Sequence, residues 1–422
     1  MSLPARWACA AALPPLLLAG MYIGFAVDVP LFDQWEWPLF LDKWHSGTLA
    51  PADFWAQHNE HRPLFPRLLL LALAAPSGWD IRLELALNFL LGIGIFGAAL
   101  AAAALAARAD ARPLRPWWPA VAGVLLCSLV QWQNWFLGWQ SQLLLAALAM
   151  HLGFLALQVP RARGTLPGVI AAGVLASFSF ASGLLWWPLA LLGIFAQPAT
   201  GTRNRAAAAV ALTAVLVGGI YFTGYTSPPH HPGLFSGLAH PVAAGMHALA
   251  GLGQPVAGWS LAASILAGAL GGAAWIGIAA AALRPGAART LRLAALWGAW
   301  SVLAAGLTAL PRAAFGVEQA LSSRYATFAV PLWLGLALAL AATSRKGHAP
   351  VVAALALALC AAITSAYGAY RWTERHAVYT QARAALLAGG PVESLAWLYP
   401  ETAVLLERRA LLERRGWSVF RP

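Results

Sequence analysis

Two short polar clusters near the start of the chain carry the residue types from which a reaction centre is built. Asp33-Gln34-Trp35-Glu36-Trp37 and His58-Asn59-Glu60-His61-Arg62 lie in one stretch, residues 28–62, between two hydrophobic runs. The stretch holds Asp28, Asp33, Glu36, Asp42, Asp53 and Glu60, six of the 15 acids in a chain of 422 residues. Ionisable groups crowded beside a membrane-embedded body are costly and are usually kept for function, although a solvated loop would also tolerate them. Asp33 is the hardest of these to dismiss as structural, because it stands where the first hydrophobic run emerges and needs neither to cap a helix nor to solubilise one there. Arg62 and Arg67 could hold a phosphate by forked hydrogen bonds, or simply snorkel to lipid headgroups. His58 and His61 bracket Glu60, but H-x-x-H lacks the i, i+4 register of a helical zinc site. A divalent cation near Asp33 or Glu60 is left open.

Further along, Gln131-Trp132-Gln133-Asn134-Trp135 and Gly138-Trp139-Gln140-Ser141-Gln142 interleave amides with indoles. Amides bond hydroxyls in both directions and indoles pack on sugar-ring faces, so this mixture suits a carbohydrate; interfacial anchoring explains the tryptophans alone. The proline-rich turn Pro228-Pro229-His230-His231-Pro232 offers a histidine pair. Ser323-Arg324-Tyr325 places a guanidinium at the end of a late hydrophobic run, where an anionic partner is expected. The candidate ligand contacts are therefore Trp35, Glu60, His61, Gln133, Asn134 and Gln140, with Trp35, Trp37 and Trp44 also suited to an aromatic belt.

The elements that must position these residues are helices in a membrane. Sixty percent of the residues are hydrophobic and 10% charged, against about 25% charged in soluble domains. Several runs reach the roughly 20 residues that cross a bilayer as a helix, and no ten-residue alternation suggests a barrel. The expected fold is all-α, a polytopic transmembrane bundle of about 11 spans. These run near 7–27, 83–107, 117–131, 142–158, 167–180, 184–197, 206–224, 259–283, 291–310, 327–343 and 350–369. Phe32, Trp35, Leu39 and Phe40 recur at helical spacing and predict a juxtamembrane helix, while 63–78 is short enough to lie along or dip into the interface.

The formal charge of +12 is concentrated in short loops at 108–115, 161–163, 203–205, 284–292 and 345–346, opposed only by Asp110. That pattern reports orientation and not nucleic acid: these loops face the cytoplasm, and residues 28–62, 131–142, 180–183, 225–258 and 311–325 face outward. Cys9, Cys127 and Cys360 lie in apolar runs and read as small hydrophobes. The first run reads as a retained anchor and not a cleaved signal. Residues 1–369 form the membrane body. Residues 370–422 form a tail with an amphipathic helix around Glu407-Arg408-Arg409 and Glu413-Arg414-Arg415.

Taken in order, Phe32-Asp33-Gln34-Trp35, His58-Asn59-Glu60-His61-Arg62-Pro63-Leu64, Gly78-Trp79-Asp80-Ile81-Arg82-Leu83, the 131–142 turn and Ser323-Arg324-Tyr325 resemble a bacterial membrane family of the GT-C glycosyltransferase superfamily. That superfamily includes the protein O-mannosyltransferases and the lipid A aminoarabinose transferases. The resemblance implies an enzyme of the inner membrane that takes a sugar from a polyprenyl-phosphate donor on the periplasmic face. It would pass the sugar, with inversion, to a glycan, lipid or protein acceptor. It implies Asp33 as base and Arg62 as a donor-phosphate contact; Arg324 and Tyr325 would join it. Gln34 departs from the mannosyltransferase pattern, in which a second acid often follows the first, and puts metal dependence in question. A flippase or transporter of lipid-linked sugars is the rival class, and a noncatalytic envelope-assembly protein the third. A transporter would be expected to carry ionisable residues deep within its spans, whereas the acids here lie at the edges, and Glu84, the only candidate, sits near a helix start.

Overall fold

The computed structural model describes residues 3–159, 165–197, 201–228, 232–233, 235–343 and 347–422. His230, His231, Arg161, Arg163, Arg345 and Lys346 lie outside them. The described chain is helical throughout; its one bridge pairs the backbones of His58 and His61. Among the described residues, eight helices are long and apolar enough to cross a membrane, and three apolar helices, Leu64–Ser77, Thr165–Ser177 and Ala181–Phe195, are shorter. This is a multi-pass helical membrane protein.

Contacts between loops sort the bundle into two ends. Asp110 receives hydrogen bonds from the Arg289 and Thr290 backbone N–H groups at 2.7 and 2.9 Å and from the Thr290 hydroxyl at 2.8 Å. It thus caps the Arg289–Arg312 helix from a neighbouring loop, meeting the positive end of the helix dipole. Arg115 N–H reaches Ala341 O, and Arg292 bonds Ala196 O, so the arginine-rich loops share one end with 196 and 341. The polar clusters gather at the other end.

Three sequence expectations need correction. The outward turn at 225–258 contains a helix, Pro241–Ala257, packed on Leu261–Ala282. Gly253 and Gly268 permit the close crossing: a Cβ on either would fall within 2 Å of a backbone oxygen, 1.8 Å from Ser264 O and 1.9 Å from Leu249 O. The last long helix does not stop at 369 but runs from Ala349 to Ala388, 40 residues, about 60 Å. It therefore outreaches a hydrocarbon core of about 30 Å and carries the tail to the polar end. Residues 117–131 yield only the nine-residue Trp118–Leu126 helix before breaking into short turns. The 14 residues of Leu64–Ser77, about 21 Å, fall short of the hydrocarbon thickness.

Candidate active site

Asp33 sits on a 3-10 helix, Phe32–Glu36, that begins with Phe32 at φ 50°. Gln34 anchors this turn. Its Oε1 accepts from Leu31 N–H at 3.1 Å and its amide donates to Glu84 Oε2 at 2.7 Å, while the Trp79 indole donates to Glu84 Oε1 at 2.7 Å. Glu84, in the first turn of the Ile81–Ala109 helix, accepts one bond on each oxygen and so fixes the first loop to that helix. Gly138 closes over that pair, since a Cβ there would stand 1.9 Å from Glu84 Oε2. The predicted apolar face is different from the real one: Trp35, Trp37 and Leu41 are buried, whereas Phe32 and Leu39 are exposed. Trp35 and Trp37 are thus core residues, and Trp44 alone of the three is exposed as a belt residue is. Trp35 is fully buried and lines none of the three cavities described below.

Because a 3-10 helix has three residues per turn, Asp33 and Glu36 project on one side, and His58 meets both. Its Nε2 lies 3.3 Å from Asp33 Oδ2 and its Nδ1 3.3 Å from Glu36 Oε2. The turn that presents it is closed by two backbone hydrogen bonds between His58 and His61, each 2.9 Å, with Asn59 at φ 49°, a conformation Asn tolerates well. Burial alone would lower the His58 pKa; the hydrogen bonds and charges of Asp33 and Glu36 raise it to about 9. Burial would raise Asp33, but His58, then Arg324 and His61, hold its carboxyl below the ordinary range. His61, buried against Phe180 with ring centroids 3.9 Å apart, is pushed down to about 3 chiefly by burial and is neutral.

These groups border a cavity of about 290 Å³ lined by Asp33, His58, Glu60, His61, Gln140, Gln142, Arg312, Arg324 and Tyr325 on its polar side. Its apolar wall is Leu143, Phe180, Leu307, Pro311 and Phe328. Two further cavities open from Asp33. One, about 120 Å³, reaches Gln133, Gln140 and Arg324; the other, about 260 Å³, reaches Glu36, Trp37, Lys43, Asp53, Gln57 and Arg67.

The arginines are distributed differently from the sequence expectation. Arg62 is buried and gives its guanidinium to three carbonyls, Tyr221 O at 3.0 Å, Trp55 O at 3.1 Å and Thr223 O at 2.6 Å. It borders none of the three cavities, so it ties the loop to the Arg203–Phe222 helix instead of facing a phosphate. Arg67 similarly bonds Phe54 O and Ala56 O. The cavity cation that sequence reasoning missed is Arg312, paired with Glu60 at 3.1 Å. Glu60, expected to bind acceptor, metal or Arg62, has this distant partner. Arg324 faces the cavity with its guanidinium 5.3 Å from the Tyr325 ring centroid.

The amide string is mostly structural. Gln133 Oε1 accepts from the hydroxyls of Ser322 and Ser323 and from Arg324 N–H at 3.2–3.3 Å. Asn134 donates to Arg324 O at 3.0 Å and to Thr327 Oγ1 at 2.6 Å. Asn134 therefore holds the Arg324 turn from behind and borders none of the cavities, while Gln133 borders only the smallest. Gln140 and Gln142 do line the main cavity, and their side-chain oxygens find no partner among the described residues. Among those residues no group of three or more His, Cys, Asp or Glu side chains is placed to hold a metal ion. Compared with family models, curated proteins and solved structures, the chain matches none.

Proposed function

We propose that the chain is a membrane glycosyltransferase that moves a sugar from a polyprenyl-phosphate donor to an acceptor hydroxyl at the polar end of the bundle. One observation carries the reading: an ionised carboxylate, Asp33, borders a cavity that has two guanidinium groups and an apolar wall. A lipid phosphate sugar needs those three things. Arg312 and Arg324 face the departing phosphate, Phe180, Leu307 and Phe328 face the first isoprene units, and Gln140 and Gln142 are the amides on the wall beside the sugar.

In the reaction the bond from the anomeric carbon to the phosphate oxygen breaks with its electron pair on the phosphate. The acceptor oxygen bonds the anomeric carbon from the opposite face, and its proton passes to Asp33. Attack from that face inverts the anomeric carbon. Because the phosphate leaves as a stable anion, the step needs little general acid, and the cations stabilise the charge that develops. Asp33 is a weak base at rest but always ionised, which suits an acceptor proton that is lost late.

The test supplies purified protein with a panel of labelled polyprenyl-phosphate sugars and glycan, lipid and peptide acceptors, with and without divalent cations. Transfer by wild type and its loss in folded Asp33→Asn support the reading. Equal turnover by both removes Asp33 from the mechanism, and absence of transfer from every donor, together with vectorial movement of lipid-linked sugar in liposomes, replaces it with the transporter reading.

A further inference from the structure

His58 is in contact with three side chains, two of which make incompatible demands on one nitrogen. Asp33 Oδ2, 3.3 Å from Nε2, wants a hydrogen there. The Trp139 indole N–H, 3.1 Å from the same Nε2, only donates and so wants a lone pair there. Glu36, on Nδ1, is served in either case, because the charged ring and the Nδ1–H neutral tautomer both donate to it. The ring stands edge-on to the indole, 5.1 Å between centroids at 84°, so neither contact requires the ring to turn.

We propose that His58 is a two-state positioning residue: as an imidazolium it grips Asp33 Oδ2 and leaves the other carboxylate oxygen for the acceptor hydroxyl, and as a neutral ring it gives Nε2 to Trp139 and releases Asp33. The catalytic part of this rests on the transferase reading; the exchange of partners does not. The other titratable or charged groups in range are neutral His61 and Glu60 in the same turn, Arg324 and Arg312 across the main cavity, and Arg67, Lys43 and Asp53 across the adjoining one. Tyr399 of the C-terminal segment feels both Asp33 and Glu36. The two acids on the Phe32–Glu36 turn touch the ring and outweigh these more distant charges, so the gripping state holds at neutral pH.

The two states predict opposite responses. Trp139 stabilises only the neutral ring relative to the charged one, so Trp139→Phe should raise the pH at which His58 titrates. Glu36→Gln removes a charge that favours the imidazolium and should lower it, each by about one unit. The measurement is an NMR titration of the ¹⁵N-histidine-labelled full chain in detergent micelles, with His58 assigned through His58→Gln. The expected result is one imidazole titrating well above the others in wild type and moving in opposite directions in the two variants. Glu36 is exposed, so Glu36→Gln reports even if Trp139→Phe fails to fold. A His58 that titrates in the ordinary range, or two variants that shift it the same way, overturns the exchange.

A second readout is kcat/KM against pH for sugar transfer, whose alkaline limb should follow His58 in each variant. Transfer whose alkaline limb ignores His58 removes the positioning role. Opposite NMR shifts without any transfer leave the exchange standing and defeat the transferase reading instead.

Discussion

Two regions of this molecule combine carboxylates with arginines at the same end of the bundle, and they use them in opposite ways. In the first, Arg421 pairs with Asp28 at 2.5 Å and with Asp80 at 3.0 Å, Arg82 binds Asp80 at 2.8 Å, and Arg383 donates to the Asp28 carbonyl at 3.1 Å. Ile81 N–H completes Asp28 at 3.1 Å, and Ser418 N–H donates to Gly78 O at 2.8 Å. Both carboxylates are answered by guanidinium groups, and the cluster borders none of the cavities described above. It fastens the C-terminal tail across the first loop. In the second, Asp33, Glu60, Arg312 and Arg324 each keep a face toward a cavity of about 290 Å³. Charge pairing alone does not mark a reaction centre; charged groups gathered around open space do.

The sharpest way to break that comparison is Asp33→Asn. If the cavity is the site, turnover falls roughly 1,000-fold while the melting temperature stays near that of wild type, because the amide keeps the shape and one hydrogen bond. A loss of folding with the activity would make Asp33 another clamp residue. Next in size is Arg312→Ala, expected to lower kcat roughly 100-fold if the guanidinium meets developing phosphate charge. Glu60→Gln frees Arg312 without removing it and should cost much less. Were Arg312 only a structural partner of Glu60, the two variants would be equally impaired and the double variant no worse than either.

The clamp predicts the reverse pattern. Arg421→Ala leaves Asp28 and Asp80 largely buried beside Arg82, and should cost about 3 kcal/mol of stability while leaving turnover per folded molecule unchanged. Thermal unfolding in detergent and a transfer assay at low temperature separate the two effects. A tail that only covers the surface would show neither. Loss of turnover at full stability would mean that the tail acts on the site, for which Phe32 N–H bonded to Leu398 O at 2.7 Å is the available route.

The comparison also explains what the sequence could reveal. Long helices such as Ile81–Ala109 were legible because 20 apolar residues in a row have few other uses, and Asp33 because acids are scarce. Pro241–Ala257 was not, since His247, Gln254 and two prolines make it resemble a loop until it is seen packed on its neighbour. The placements of Arg62 and Arg312 were not legible for a different reason. Arg62 belongs to the conspicuous motif, yet its carbonyl partners at 221 and 223 are about 160 positions away, while Arg312 meets Glu60 from 252 positions away. No local spacing encodes such pairings. Gln133 and Asn134 were ambiguous similarly: ligand binding and clamping of the 322–327 turn demand the same side chains, and only contacts tell them apart.

The smallest expected effect is on the pH dependence of stability, where the two regions should fail at opposite ends. His58 is raised from 6.5 to about 9. Its contribution is therefore complete below pH 6.5 and is lost as pH rises through about 9. Asp80 is lowered, since its hydrogen bonds and charge contacts with Arg82 and Arg421 outweigh the burial that would raise it. Its contribution is present above the ordinary carboxylate pKa and is lost as pH falls through the folded value. Asp28 is raised by burial ahead of the pull of Arg421, works in the opposite sense, and blunts that acid limb. Melting temperature against pH should thus fall by a few degrees on the alkaline side in wild type and stay flat there in His58→Gln. Arg421→Ala should keep the alkaline limb and flatten the acid one. An alkaline limb that survives in His58→Gln would show that the imidazole between Asp33 and Glu36 is not charged at neutral pH, and that the site, like the clamp, is held by its arginines alone.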